Sequence, residues 1–403
     1  MQSKKESKKV QNCSPLLPCP PRSLCKTVSV ECLAVIFAKT LRNPLQQSFT
    51  FSPHDPYCSS DSVIAFCEAV HADCRGGLYH DHIKHLEFKR LDLEDAVMGN
   101  MAIAINCLTL CTFSCYGCRM SNGGISILGE LWHSNEFLQL KHFSVEECDN
   151  LPIEQAPKPL ERSSCNFASI ICKFSPEPSK DSGDIVPQME HVSFRGTILC
   201  SSSKVQLTMN LPALKKLLLL DLSGTGPWIG KTSFLLGQCI NALTNLTSWR
   251  FDGVNLCEAR ANAPESQQLQ VADSHMLLLG LRMKPQSEFS SNLFQEDWTY
   301  LYDKNELFRS SITNLSLCHA CSMPGAGSMA LTSILNCFPN LQSVNLSFSL
   351  ISYSFAPRVF NQVHVHCPKL RKADFSGCSG QGPPPNLYGR VVLCMLSVCL
   401  SDE

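Results

Sequence analysis

The sequence predicts an α/β solenoid: strand–turn–helix units stacked in an arc, with a curved parallel sheet on the concave face, helices outside, and a short helical segment at the N-terminal end. Three observations predict it. An apolar triplet at i, i+3 and i+5, followed by a small or apolar residue at i+8, recurs along the chain. Its copies keep a near-constant interval: Leu217, Leu220, Leu222 and Thr225 are followed 29 positions on by Leu246, Trp249, Phe251 and Val254. Ile312, Leu315 and Leu317 are likewise followed by Leu341, Val344 and Leu346 and then by Leu370, Ala373 and Phe375, each 29 further on. Between triplets lie helical patterns closed by proline, such as Ser328 to Cys337 ahead of Pro339, because the residue before a proline is pushed out of helical geometry.

The spacing is the L-x-x-L-x-L-x-x-N/C signature of a leucine-rich repeat, whose period runs from about 20 to 29 residues. The residues at i+3 and i+5 alternate with the pleat of a short strand and point inward, while those beside them face out. Met189, Val192, Phe194 and Thr197 make a copy 28 positions before Leu217, and Leu140, Phe143, Val145 and Cys148 make another. Weaker copies start at Ile83, Ile105 and Met276. Lys231 to Leu243 and Arg358 to Cys367 read as the intervening helices. One unit cannot bury its own apolar face, so the units must stack, and about ten are expected.

The composition excludes other classes. Among 403 residues, 34 are basic and 35 acidic, a net charge of -1, so the general attraction to phosphate that nucleic-acid binding requires is missing. The basic start, Lys4 to Lys9, is followed by Pro15, Pro18, Pro20 and Pro21 instead of the apolar run of a signal peptide. No apolar stretch reaches the roughly 20 residues of a membrane span; Val391 to Leu400 is too short. The expectation is therefore a soluble protein of the cytoplasm and/or nucleus. There the 24 cysteines stay reduced and the sequons at Asn245, Asn314 and Asn345 stay unmodified.

The inward leucines are core, so binding is expected on outward strand positions. These are Ser193 and Arg195, Asp221 and Ser223, Arg250 and Asp252, Asn345 and Ser347, Asp374 and Ser376, with Glu87, Lys89, Ser144 and Glu146 upstream. The row is polar and mixed in sign, which suits a protein substrate; a solvated face would read the same way. Gly224 to Thr232 resembles a phosphate loop, but its first glycine is misplaced, and Pro227 and Trp228 stand where backbone N–H groups should face phosphate. Cys115 and Cys118, like Cys318 and Cys321, have the gap of a zinc knuckle. In a solenoid, however, units so far apart do not meet. His80, His82, His85, His364 and His366 read as surface or core histidines without a matched carboxylate. No spacing supports catalysis, and no metal or cofactor is expected.

The chain divides into a basic, proline-rich tail (1–22), expected to be disordered, a helical cap (23–75), the repeats (76–380) and a second tail (381–403). In the cap, Leu24, Val28, Cys32 and Ile36 recur at helical spacing, and a second helical pattern starts near Ser60. Thr27 to Ile36 resembles the elongin-C binding box, in which a Ser/Thr-Leu pair is followed four positions later by Cys and four later again by an aliphatic residue. Valine here replaces the leucine. Such a stripe on one helical face would let Val28, Cys32 and Ile36 enter a groove as anchors. A box, a second helical segment and repeats of 28 or 29 residues together resemble the Zyg/Zer family of substrate receptors of cullin-2 ubiquitin ligases. The resemblance implies docking through elongin C and cullin-2, presentation of a protein substrate, and transfer chemistry belonging to other subunits. No cullin box is recognisable after Phe51-Ser-Pro53, and the family's armadillo-like half does not follow the proline run at 383–385, so a truncated form is expected. The alternative is a leucine-rich scaffold or F-box-type receptor without elongin binding.

Overall fold

A computed structural model describes residues 30–53, 60–105, 107–120, 139–150, 188–254, 273–282, 311–319, 333–349, 365–374, 376 and 392–394. Val28 and Cys321 lie outside these residues. The first helix, α1 (Val30–Leu41), is followed by β1 (Ser48–Phe51) and α2 (Ser60–Arg75). Next come β2 (His85–Lys89), the two-residue β3 (Asp92–Leu93), α3 (Asp95–Ile105), β4 (Thr112–Tyr116), β5 (Arg119–Met120), β6 (His142–Glu146), β7 (Asp149–Asn150) and β8 (His191–Ser193). The remainder is α4 (Ser201–Asn210), β9 (Leu219–Asp221), α5 (Lys231–Ala242), β10 (Ser248–Arg250), α6 (Asp273–Arg282), β11 (Asn314–Ser316), β12 (Ser343–Asn345), β13 (Lys372–Asp374) and β14 (Val392–Cys394).

Among the described residues, eleven strands form one sheet in the order β1-β2-β4-β6-β8-β9-β10-β11-β12-β13-β14, and every pairing is parallel. The strictly sequential order is what a solenoid requires, since each unit meets only its neighbours. The spacing ruler sets the register. Leu220 opposes Trp249, Trp249 opposes Leu315, Leu315 opposes Val344 and Val344 opposes Ala373, all of them i+3 residues and all buried. A second ladder, β3-β5-β7, runs beside the first where each early unit turns away from the main sheet.

The core is one continuous spine. At the N-terminal end it is aromatic: Phe66 of α2 meets Phe37, Phe49 and Phe51 at ring-centroid distances of 5.7, 4.9 and 5.3 Å. Phe51 stacks on Phe88, and the series continues through Phe113, Phe143 and Phe194. Beyond Phe194 leucines take over, with Trp249, Phe251 and Phe338 between them. An ion-pair cluster ties α1 to α2. Arg42 Nη2 lies 3.0 Å from Asp73 Oδ1, and His80 Nε2 lies 3.2 Å from Asp73 Oδ2. His80, expected to lack a carboxylate, therefore has one, seven residues upstream.

One backbone feature repeats in every well-described unit. The residue at i+7 is left-handed: Arg90, Gly117, Glu147, Gly196, Gly224, Gly253, His319 and Phe348 all have φ between 51° and 70°. Each donates its N–H to the carbonyl of the next unit, as from Gly196 to Ser223 (2.7 Å) and from Phe348 to Ser376 (2.7 Å). The turn thus bends the chain away without ending the ladder. Glycine adopts this conformation freely, whereas a side chain there costs about 1–2 kcal/mol.

Two expected copies are corrected. Ile105 ends helix α3, and the true unit starts five residues later, with Leu110, Phe113, Cys115 and Cys118 buried at i, i+3, i+5 and i+8. Met276 lies inside α6, where helical periodicity imitates the triplet.

Candidate functional site

The concave face carries the outward strand residues in rows. One row reads Glu87, Ser114, Ser144, Ser193, Asp221, Arg250, Ser316, Asn345 and Asp374, each opposed to the next. Of the expected positions, Glu87, Ser144, Ser193, Asp221, Arg250, Asn345 and Asp374 therefore lie side by side, and the structure adds Ser114 and Ser316. A parallel row at the start of the strands contains His85, Thr112, His142 and His191. The rings of His142 and His191 meet edge to face at 4.3 Å. Burial, and then the neighbouring His191, push the His142 imidazole below its usual range.

Many of these polar groups are already occupied within the sheet. Asp221 Oδ1 accepts the Ser223 N–H at 3.0 Å. Asn345 Oδ1 accepts from the N–H and hydroxyl of Ser347, and Asp374 Oδ1 does the same for Ser376. Asp252 Oδ1 accepts the Ser316 hydroxyl at 2.6 Å and the Cys318 N–H at 2.7 Å. These acidic and amide side chains hold the strand ends where the chain turns. Ser193 donates to Glu146 at 2.7 Å. Ser193, Asp221, Ser223 and Ser347 are buried, and burial raises the Asp221 carboxyl above its ordinary range. Arg195 and Arg250 stay exposed, Arg250 with Nη1 3.8 Å from Asp221 Oδ2.

A second surface lies on α1. Leu33, Phe37 and Leu41 turn toward the spine, with Leu33 and Leu41 buried. The opposite stripe presents Cys32, Val35 and Ile36 to solvent, Val35 at 58% and Ile36 at 47% exposure. Burial of a medium-sized aliphatic side chain is worth about 1.5–3 kcal/mol, which is the gain that covering Val35 or Ile36 would bring.

The cysteine pair Cys115 and Cys118 is buried together with Cys148 of the next unit. Burial pushes the Cys115 thiol up, while hydrogen bonds from the Cys115 and Cys148 thiols pull Cys118 below the usual thiol range. Among the described residues, no three metal-ligating side chains are arranged to hold an ion, and no helix is long and apolar enough to cross a membrane. The glycine-rich segment at 224–232 is filled by its own tryptophan. Trp228 is 1% exposed and donates from Nε1 to Thr225 Oγ1 at 3.0 Å, while Thr232 Oγ1 donates to the Ile229 carbonyl.

No family model and no curated protein matches the chain. Solved structures do, at low identity. They include a chain of the Drosophila Toll–Spätzle complex (10% identity, TM-score 0.37, 74% of this chain and 27% of that one) and an internalin from Listeria monocytogenes (10%, 0.35, 97% and 100%). A third is the Arabidopsis receptor kinase HAESA leucine-rich-repeat ectodomain with a peptide hormone (10%, 0.34, 83% and 43%). The chain thus spans about a quarter of the Toll chain's length. With a sequential parallel ladder, a 29-residue ruler and an inward i+3/i+5 core, the chain is a leucine-rich-repeat solenoid of the α/β class.

Proposed function

We propose that this protein is a non-catalytic protein-interaction scaffold and that its finer role is substrate recognition for a cullin-RING ubiquitin ligase, with α1 as the docking helix. One observation carries the reading: Cys32, Val35 and Ile36 are apolar, exposed and on one stripe of α1, while the inner stripe of the same helix is fixed to Phe66 and its neighbours. A helix held rigidly on one side and apolar on the other is suited to entering a partner's groove, with anchors at i, i+3 and i+4. The likeness of the segment 27–36 to an elongin-C box supports elongin C as that partner and the Zyg/Zer receptors as the related group. The concave rows would then take a protein substrate, with Arg195 and Arg250 as its exposed cations.

The test is capture by recombinant elongin B–C. The wild-type chain is expected to bind, and Cys32→Asp or Ile36→Asp to lose at least about tenfold in affinity, since each places an unpaired charge in a buried contact. Circular dichroism should be unchanged in both variants. Absence of wild-type binding, or binding indifferent to both substitutions, would leave the concave-face scaffold as the reading.

A further inference from the structure

The left-handed i+7 positions are not equivalent. Gly117, Gly196, Gly224 and Gly253 fill four of them without strain. Arg90 and Glu147 carry polar side chains that interact with the Tyr116 hydroxyl. His319 and Phe348 are different. They hold φ of 55° and 56° in consecutive units, and their rings stack face to face at 4.9 Å and 10°. Both are exposed, Phe348 at 50%. Backbone strain kept at two adjacent positions that glycine fills elsewhere, in order to hold an apolar ring in water, is the mark of a binding surface.

The surroundings give the chemistry of the partner. Asp252 Oδ1 accepts the N–H of Cys318, the residue before His319, at 2.7 Å, and Asp374 Oδ1 accepts the N–H of Ser376, whose carbonyl in turn accepts the Phe348 N–H at 2.7 Å. Each stacked residue therefore has a carboxylate close by along the ladder, Asp252 beside His319 and Asp374 one hydrogen bond beyond the partner of Phe348. An aromatic face beside carboxylates favours a cation, and a planar, weakly hydrated guanidinium fits both features better than a compact ammonium.

We propose that His319 and Phe348 form a stacking platform for an arginine-bearing protein segment, with Asp252 and Asp374 supplying the charge. This site lies apart from α1 and does not rest on ligase docking.

The experiment uses the full chain and a fluorescein-labelled Gly-Arg-Gly-Arg-Gly peptide, followed by fluorescence polarisation, with lysine and glutamate peptides in place of arginine as comparisons. The arginine peptide should bind best and the glutamate peptide least. Phe348→Gly and His319→Gly should each weaken arginine binding about tenfold while leaving the melting temperature unchanged or higher, because both relieve strain. Asp374→Asn keeps the oxygen that holds Ser376 but removes the charge, and should weaken binding severalfold with the fold intact. Cys32→Asp should bind the peptide as the wild type does. The proposal is overturned by no arginine binding, by glutamate binding as tightly, or by unchanged binding in both glycine variants. It is also overturned by a lower melting temperature for Phe348→Gly, which would make the ring a structural staple. A single-stranded oligonucleotide that displaces the arginine peptide would overturn it as well.

Discussion

Lys204 sits on α4 with only 3% of its surface exposed; its ammonium donates to the Pro227 carbonyl at 2.6 Å and lies 5.3 Å from the centre of the Trp228 ring. Burial lowers its pKa to about 8, below the roughly 10.4 of an unfolded lysine. Between those values the unfolded chain binds more protons than the folded one, so this group makes stability rise with pH across that window and imposes a constant penalty below it. Wild type should therefore gain on Lys204→Met in melting temperature between pH 8 and pH 10; parallel curves would show that Lys204 is not held as described. Beside it, Thr225 Oγ1 accepts from buried Trp228 Nε1 and donates to the Leu222 carbonyl at 2.7 Å. Thr225→Val strands that N–H and should cost about 1–3 kcal/mol in urea unfolding, while Thr225→Ser should cost much less. The i+8 ruler in the sequence identifies Thr225 as buried, but nothing in the sequence announces that the tryptophan three residues on would turn back to bond it.

At the scale of elements, α5 and α6 pack backbone to backbone. A methyl group added at Gly280 would run into the carbonyl oxygen of Phe234, and one at Gly237 into that of Leu277. Backbone carbonyls cannot rotate aside, so Gly280→Ala should separate the helices and lower the melting temperature by more than an ordinary overpacking change of about 1–3 kcal/mol. The same substitution at Gly99, whose new methyl would meet nothing within 4 Å, is the control and should be neutral or stabilising. The cap offers a second check. Phe66→Ala removes a fully buried ring that contacts three others and should cost about 3–5 kcal/mol in chemical denaturation. Strands built on leucine were legible in the sequence, as Leu220 and Leu315 show. β1 and β4 were not: β1 points Phe49 and Phe51 inward behind a polar Gln46, and β4 points Phe113 and Cys115. At β4 the real Leu110 was read as the last member of a triplet begun at Ile105, because a helix end and a loop happened to supply the same intervals.

For the whole molecule, the arc and its parallel order follow from a repeat that the sequence displays openly, and the outward rows follow from strand alternation. What alternation leaves out is how much of each row the sheet uses for itself. Asp221, Asn345 and Asp374 share the pattern Asp/Asn-x-Ser with the serines they hold, a local turn signal that reads as a binding residue when units are considered one at a time. The His319–Phe348 stack was equally hidden, since it joins residues of two units whose nearness depends on register.

The uneven spacing of the strands bears on what holds the concave face in register. Opposed residues are 27 to 30 apart in six of the ten pairings of the main sheet, yet Ser48 and His85 are 37 apart, His142 and His191 are 49 apart and Ser248 and Asn314 are 66 apart, with the ladder unbroken across all three. For a flexible connection, closure entropy grows only with the logarithm of length, so 66 residues in place of 29 add about 0.7 kcal/mol, less than one buried methylene. The register of the concave face is therefore held by strand pairing and not by the length of what joins two strands.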